Sequence, residues 1–187
     1  APAVNFRSRG ELTVDFLSAR VDPESYLHGI AAKAGDYRGF NLLVGDQRGL
    51  WYFNNSDPEN SGVPQCLPPG LYGLSNAVLD TPWPKVVLGK RRLRALLENN
   101  EIDHEDLARV VGDRQLADLE DLRRQGLGND MDQVLSAQFI TAGSYGTRSS
   151  TTLWSDRQGV VRWRESSFDE SGKLAGHCEE SFRLSEH

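Results

Sequence analysis

A chain of 187 residues, 38% of them hydrophobic, is long enough to bury a real core, and its net charge of −6 argues against broad nucleic-acid binding. No apolar run approaches the ~20 residues needed to cross a bilayer, no signal peptide is visible, and no metal-ligand or nucleotide-binding spacing occurs. The two cysteines, Cys66 and Cys178, are far apart and in no CxxC pattern, which reads as two free thiols in a reducing compartment and an expected cytoplasmic location.

Ser8-Arg9-Gly10-Glu11 matches a capping box, so a helix with Leu12, Phe16 and Leu17 on its apolar face is expected to follow. Asp22-Pro23 starts a second helix bearing Tyr26, Leu27, Ile30 and Ala31, which Gly35 is expected to stop. From Phe40 the period changes. "FNLLVGD" and "LWYFNN" flank the turn Asp46-Gln47-Arg48-Gly49 and read as a β-hairpin. "SDPENSG" is a loop and "LYGLSN" a third strand. Pro82 to Asn99 is a helix with Val86, Leu93 and Leu97 on one side and Lys85, Lys90, Arg91, Arg92 and Arg94 on the other. Asp103 caps a further helix, and the charged stretch 113–126 is a solvated helix or a mobile excursion. "QFIT", "GTRSSTTLWSD", "VVRWRESSF" and "HCEESFRL" are strands of an antiparallel meander. Runs of helices and runs of strands, without βαβ alternation, define an α+β class with antiparallel sheets and, at this length, one domain over 1–187.

Three places carry candidate chemistry. Asn76 follows Gly73-Leu74-Ser75 between prolines and glycines. It reads either as a turn residue bonded to its own backbone or as an oxyanion donor. Arg148, with Ser149 and Ser150 beside it, opens a strand and is suited to clamp a carboxylate or phosphate, or to make one structural ion pair. Lys85 and Lys90 belong to the basic helix, which reads as a solvated face or an anion-receiving one, with Trp83 just before it. Of the four histidines, His28, His104, His177 and His187, none has metal-ligand spacing.

"SRGELTVDFL", "YRGFNLLVGD", "LPPGLYGLSNAVLDTPWPKV" and "YGTRSSTTL" followed by "ESSFD" occur in the order and manner of the NRDE family, also called the transport and Golgi organisation protein 2 family. The resemblance spans nearly the whole chain. It implies a fold similar to N-terminal nucleophile hydrolases, a four-layer α-β-β-α sandwich with antiparallel sheets. It also implies haem trafficking, acyl-coenzyme A handling or a part in Golgi and secretory organisation. Family members open with a methionine-cysteine start and an Asn-Arg-Asp-Glu motif, whereas this chain opens Ala-Pro-Ala-Val and contains no such motif. The resemblance therefore implies a preceding segment, outside this chain or held as a separate chain, that supplies strands and the nucleophile.

On this reading Asn76, Arg148, Ser149, Trp83, Lys85 and Lys90 surround an anion-accepting cleft. The leading function is binding and transfer of an amphipathic anion, haem first and acyl-coenzyme A second. Trp51, Tyr52 and Trp83 would face a flat ligand. An amide or thioester hydrolase using an N-terminal cysteine outside this chain is the alternative, with no catalytic residue here beyond the possible oxyanion donor Asn76. A non-catalytic Golgi or secretory organisation factor is the third.

Overall fold

The computed structural model describes residues 5–57, 62–98, 102–127 and 129–184. Contacts divide the chain into two compact units. The first comprises residues 1–70 and 76–78; the second comprises 71–75 and 79–187. Both mix helices with antiparallel strands, the α+β class expected from the order of the elements.

In the first unit, α1 (Gly10–Ser18) and α2 (Pro23–Ala31) accompany the sheet β1 (Asn41–Asp46), β2 (Gly49–Asn54) and β3 (Gln65–Leu67). The core joins Leu12, Leu27, Ile30, Phe40, Leu42 and Phe53. Leu27 and Phe53 are wholly buried, each worth about 1.5–3 kcal/mol over its exposed state. The hairpin β1–β2 has the expected register, with Leu42 opposite Phe53.

Asp22 caps α2 as its sequence requires, accepting the Ser25 N–H at 2.9 Å. The capping box at Ser8 does not form. Arg9 occupies the cap, Ser8 Oγ accepts only the Gly10 N–H at 3.3 Å, and Glu11 is committed elsewhere. Its carboxylate accepts the buried Tyr37 hydroxyl at 2.5 Å and pairs with Arg7 at 2.6 Å. A buried phenol needs an acceptor more than a solvated helix end does. Leu17, expected on the apolar face, is 81% exposed. Gly35 does not stop α2, which ends at Ala31; the glycine lies in a short 3₁₀ turn, Ala34–Asp36.

The third strand is not "LYGLSN". The sequence reading overlooked Gln65–Leu67, which pairs with Leu50–Tyr52 just ahead of Pro68-Pro69. Within the second unit, Gly73 donates its N–H to the Asp80 carboxylate at 2.7 Å and accepts the Asp80 N–H at 2.8 Å. Those bonds curl 71–80 into a closed loop and leave no ladder to join. A side chain at Gly73 would meet Val86 Cγ1 at 2.6 Å, so glycine is required there by close approach.

The second unit continues with α3 (Pro84–Glu98), α4 (His104–Val110), α5 (Leu119–Arg124) and α6 (Asp130–Val134). α3 starts two residues later than expected because the Thr81 carbonyl takes the Trp83 N–H and places Pro84 in the first helical turn. Its expected end at Asn99 lies outside the described residues, as does most of the loop over 56–62. Of the charged stretch 113–126, only α5 is helical, pinned by Leu122, which is 1% exposed. Of "QFIT" only Thr141 is in a strand, the two-residue β4 (Thr141–Ala142), paired with Tyr145–Gly146 (β5). The meander β6 (Ser149–Ser155), β7 (Val160–Phe168) and β8 (Leu174–Arg183) runs in sequence order. Arg148 lies just outside β6.

Two stability predictions follow from the first unit. Asn41 Oδ1 accepts both the Tyr52 hydroxyl and Asn54 Nδ2 at 2.6 Å, while Asn41 Nδ2 donates to the Ala77 carbonyl at 3.0 Å. Asn41→Leu keeps the shape and removes the acceptor from buried Asn54, so urea denaturation should show a loss of about 1–3 kcal/mol. Burial first, and then the bond to Glu11, push the Tyr37 phenol up to about 12. The neutral phenol is thus favoured in the folded state. Its contribution is complete below the ordinary tyrosine value of about 10 and disappears as pH rises through about 12. Stability of Tyr37→Phe should be flatter than wild type across that window.

Candidate functional site

The second unit contains a cleft of about 950 Å³. α3 supplies Arg92, Ala95 and Leu96; the end of α4 and the following turn supply Asp106, Arg109, Val110, Asp113 and Arg114; Phe139, Ser150 of β6 and Phe168 of β7 complete the wall. Phe139 and Phe168 meet edge to face at 4.7 Å between centroids, giving an apolar floor.

The three arginines are not equivalent. Arg92 pairs with Asp113 at 2.5 Å and also donates to the Arg109 carbonyl at 3.3 Å. Asp113 accepts the Gln115 N–H at 2.6 Å. That backbone bond first, and Arg92 after it, hold the Asp113 carboxyl below its ordinary range against the effect of burial. Arg109 is exposed and paired with Asp106. Arg114 lies 4.3 Å from the Phe139 ring centroid and donates to the Gly172 carbonyl at 2.6 Å and to Thr141 Oγ1 at 3.4 Å. Both acceptors are neutral, so among the described residues Arg114 has no carboxylate beside it. Three guanidinium groups against two paired carboxylates leave one positive charge, stacked on an aromatic face.

Gly172 sets the posture of Arg114. Its φ is +73°, and a side chain there would meet Thr141 Oγ1 at 2.9 Å, Phe139 Cε1 at 3.1 Å and Arg114 Nη1 at 3.2 Å. Both the left-handed backbone and the crowding require glycine. The sequence carried only a weak signal of this group: a glycine in a "DESGK" turn, and arginines indistinguishable from other surface charge.

The residues singled out by sequence fall elsewhere. Lys85 and Lys90 do come together, lining a smaller hollow of about 340 Å³ with Leu74, Ser75, Val86 and Leu93. Their ammonium groups are engaged. Lys90 pairs with Asp80 at 2.8 Å. Lys85 donates to the Leu135 carbonyl at 2.7 Å and lies 5.5 Å from the Trp83 ring centroid, and burial lowers its pKa. Asn76 is exposed and belongs to the first unit, next to the anchored Ala77. Arg148 and Ser149 are exposed in the second unit; Arg148 donates to the Ser144 carbonyl at 3.0 Å. Neither lines the large cleft. Trp51 packs against the first unit's core and Tyr52 is buried on Asn41, so these two rings serve the interior of that unit.

Of the histidines, His28 is exposed. His104 Nδ1 lies 2.7 Å from Thr152 Oγ1, and its ring is 4.5 Å from that of Trp154, fastening α4 to β6. His187 lies outside the described residues. No described helix is long and apolar enough to cross a membrane.

The described residues thus form an α+β chain with antiparallel sheets, whose second unit has a cleft lined by arginines and an aromatic pair. Its sequence matches the Transport and Golgi organisation 2 family over residues 1–170, and the chain belongs to that family. It is 34% identical over 177 residues to the Transport and Golgi organization protein 2 homolog of Bos taurus, covering 87% of this chain and 63% of that protein. The homolog of Homo sapiens is 33% identical over 175 residues, covering 86% and 62%. The chain thus spans less than two thirds of the length of these relatives.

Asp80 offers the sharpest test of the local architecture. It has φ of 60°, a left-handed conformation that aspartate tolerates better than most residues. Asp80→Gly relieves the backbone but removes the bonds to Gly73 and Lys90, and should lower the unfolding free energy by about 1–2 kcal/mol. Asp80→Asn keeps an acceptor and should lose less. Thermal or urea denaturation of the pair checks the order.

Proposed function

We propose that this chain is a binding and transfer protein for an amphipathic anion, with haem as the leading ligand. The observation that supports it is Arg114: a guanidinium without a neighbouring carboxylate, laid on Phe139 at the floor of a cleft of about 950 Å³. A volume of that size suits a cofactor-sized ligand. A propionate of haem would meet the free edge of Arg114, and the macrocycle would lie against Phe139, Phe168 and Leu96. Among the described residues that line the cleft there is no histidine or cysteine, so the ligand would be held by its carboxylates and its flat face, and released readily. A reversible carrier agrees with the names of the relatives, which speak of transport and Golgi organisation. The N-terminal nucleophile hydrolase-like sandwich implied by the family resemblance is part of the same proposal. Acyl-coenzyme A, whose phosphates would meet the same arginine, is the second ligand class.

Titration of the chain with hemin, followed at the haem absorption band, should show saturable binding at micromolar protein. Arg114→Ala should weaken it by about tenfold or more, or about 1.4 kcal/mol. Arg148→Ala, outside the cleft, should leave it unchanged. No spectral change with the wild-type chain, or equal affinity of Arg114→Ala, would contradict the reading.

A further inference from the structure

Lys85 is half-buried, an uncommon setting for a lysine. Its Nζ donates to the neutral Leu135 carbonyl, and among the described residues no carboxylate pairs with it. The nearby Lys90, by contrast, has Asp80. An ammonium taken out of water without a counter-charge is biased toward the neutral amine, and burial does lower the Lys85 pKa. Lys85 is also the second residue of the fifteen-residue α3, whose positive end disfavours an added cation. A neutral amine still donates one N–H to Leu135 and keeps its lone pair for an electrophile.

The side chain borders the hollow of about 340 Å³ whose apolar walls are Leu74, Val86, Leu93 and Val111. Leu74 and Val111 are exposed, so the hollow opens to solvent there. Gln138 lines the same hollow. Its Nε2 donates to the Lys85 carbonyl at 2.9 Å, which orients the amide. Its Oε1 is buried and has no hydrogen-bond partner among the described residues. A buried acceptor without a donor is costly, and a ligand hydroxyl would satisfy it.

Lys85 also borders a second hollow, of about 320 Å³, together with Arg91, Asp113, Asp118 and Asp121. The three carboxylates there are engaged by Arg92, by the Glu120 N–H and by Arg124. None of them pairs with Lys85.

We propose that Lys85 captures aldehydes bearing an apolar chain as a reversible imine, with the chain in the hollow between Leu74, Val86, Leu93 and Val111. The amine lone pair forms the C–N bond, and a proton moves from nitrogen to the former carbonyl oxygen, giving a carbinolamine. Its hydroxyl is the donor that Gln138 Oε1 lacks. Loss of that hydroxyl with the remaining N–H proton, as water, gives the imine, and hydrolysis returns the aldehyde. No oxidant or reductant is consumed. Desolvated lysines in apolar pockets are activated for this chemistry.

Reductive trapping tests it. The full chain is treated with hexanal and cyanoborohydride, which delivers hydride to the imine carbon and makes the adduct permanent, and the modified peptides are mapped by mass. The chain has four lysines, Lys33, Lys85, Lys90 and Lys173. At neutral pH Lys85 should be alkylated about tenfold faster than the exposed Lys173. That ratio should fall with acetaldehyde, which is too short to fill the hollow. Val111→Trp, which places a ring at the open side, should slow capture of hexanal at Lys85 and spare capture of acetaldehyde. Lys85→Arg keeps the charge and an N–H donor and should remove the fast adduct while the rate at Lys173 stays the same. Equal rates at Lys85 and Lys173 in the wild-type chain overturn the proposal. So does a preference for Lys85 that is the same with acetaldehyde as with hexanal.

Discussion

The carboxylate partners of α3 determine how the second unit can use its charge. Read along the chain, Lys85 to Arg94 is a dense positive run. In the structure Asp80 takes Lys90, Asp113 takes Arg92, and the Leu135 carbonyl takes Lys85. Each pairing also does structural work. Asp80 closes the loop back to Gly73, and Asp113 ties α3 to the turn after α4 while its own carbonyl accepts the Phe139 N–H at 2.8 Å. Of α3, Arg92 reaches the cleft wall already paired, and among the described residues that line the cleft the arginine without a carboxylate beside it is Arg114.

Arg114 is placed by contacts that are individually modest and mutually dependent. The ring of Phe139 supports its face, the Gly172 carbonyl fixes one edge, and Gly172 has no side chain to displace either. A guanidinium that satisfies part of its hydrogen-bonding capacity with neutral oxygens keeps its full charge for a ligand. Beside Phe139 and Phe168, that charge adjoins apolar surface, the combination the proposed amphipathic anion would require.

Much of the local architecture was legible in the sequence because it rests on short-range chemistry. The Asp22-Pro23 helix start and the β1–β2 hairpin each carry their own capping or turn residues. Glu11 and the segment Leu71–Asn76 were misread for the same reason as each other: a tertiary partner, Tyr37 in one case and Asp80 in the other, outbid the local motif. β3 is only three residues long and has no alternating pattern to announce it. At the site, Lys85 and Lys90 were found to share a hollow, but sequence could not show that both were already engaged. Arg114 escaped notice because its distinction lies in what surrounds it: neutral oxygens, an aromatic face and a glycine 58 positions away.

The claim on which the functional account turns is that the anion enters the Arg114 cleft. Amide and arginine side-chain NMR spectra of the chain, titrated with metal-free protoporphyrin IX, test it most directly. The account predicts the largest, saturable shifts at Arg114, Phe139, Phe168 and the facing turn of α3. Shifts confined to Asn76, Arg148 and Ser149, with Arg114 and Phe139 unmoved, would contradict it.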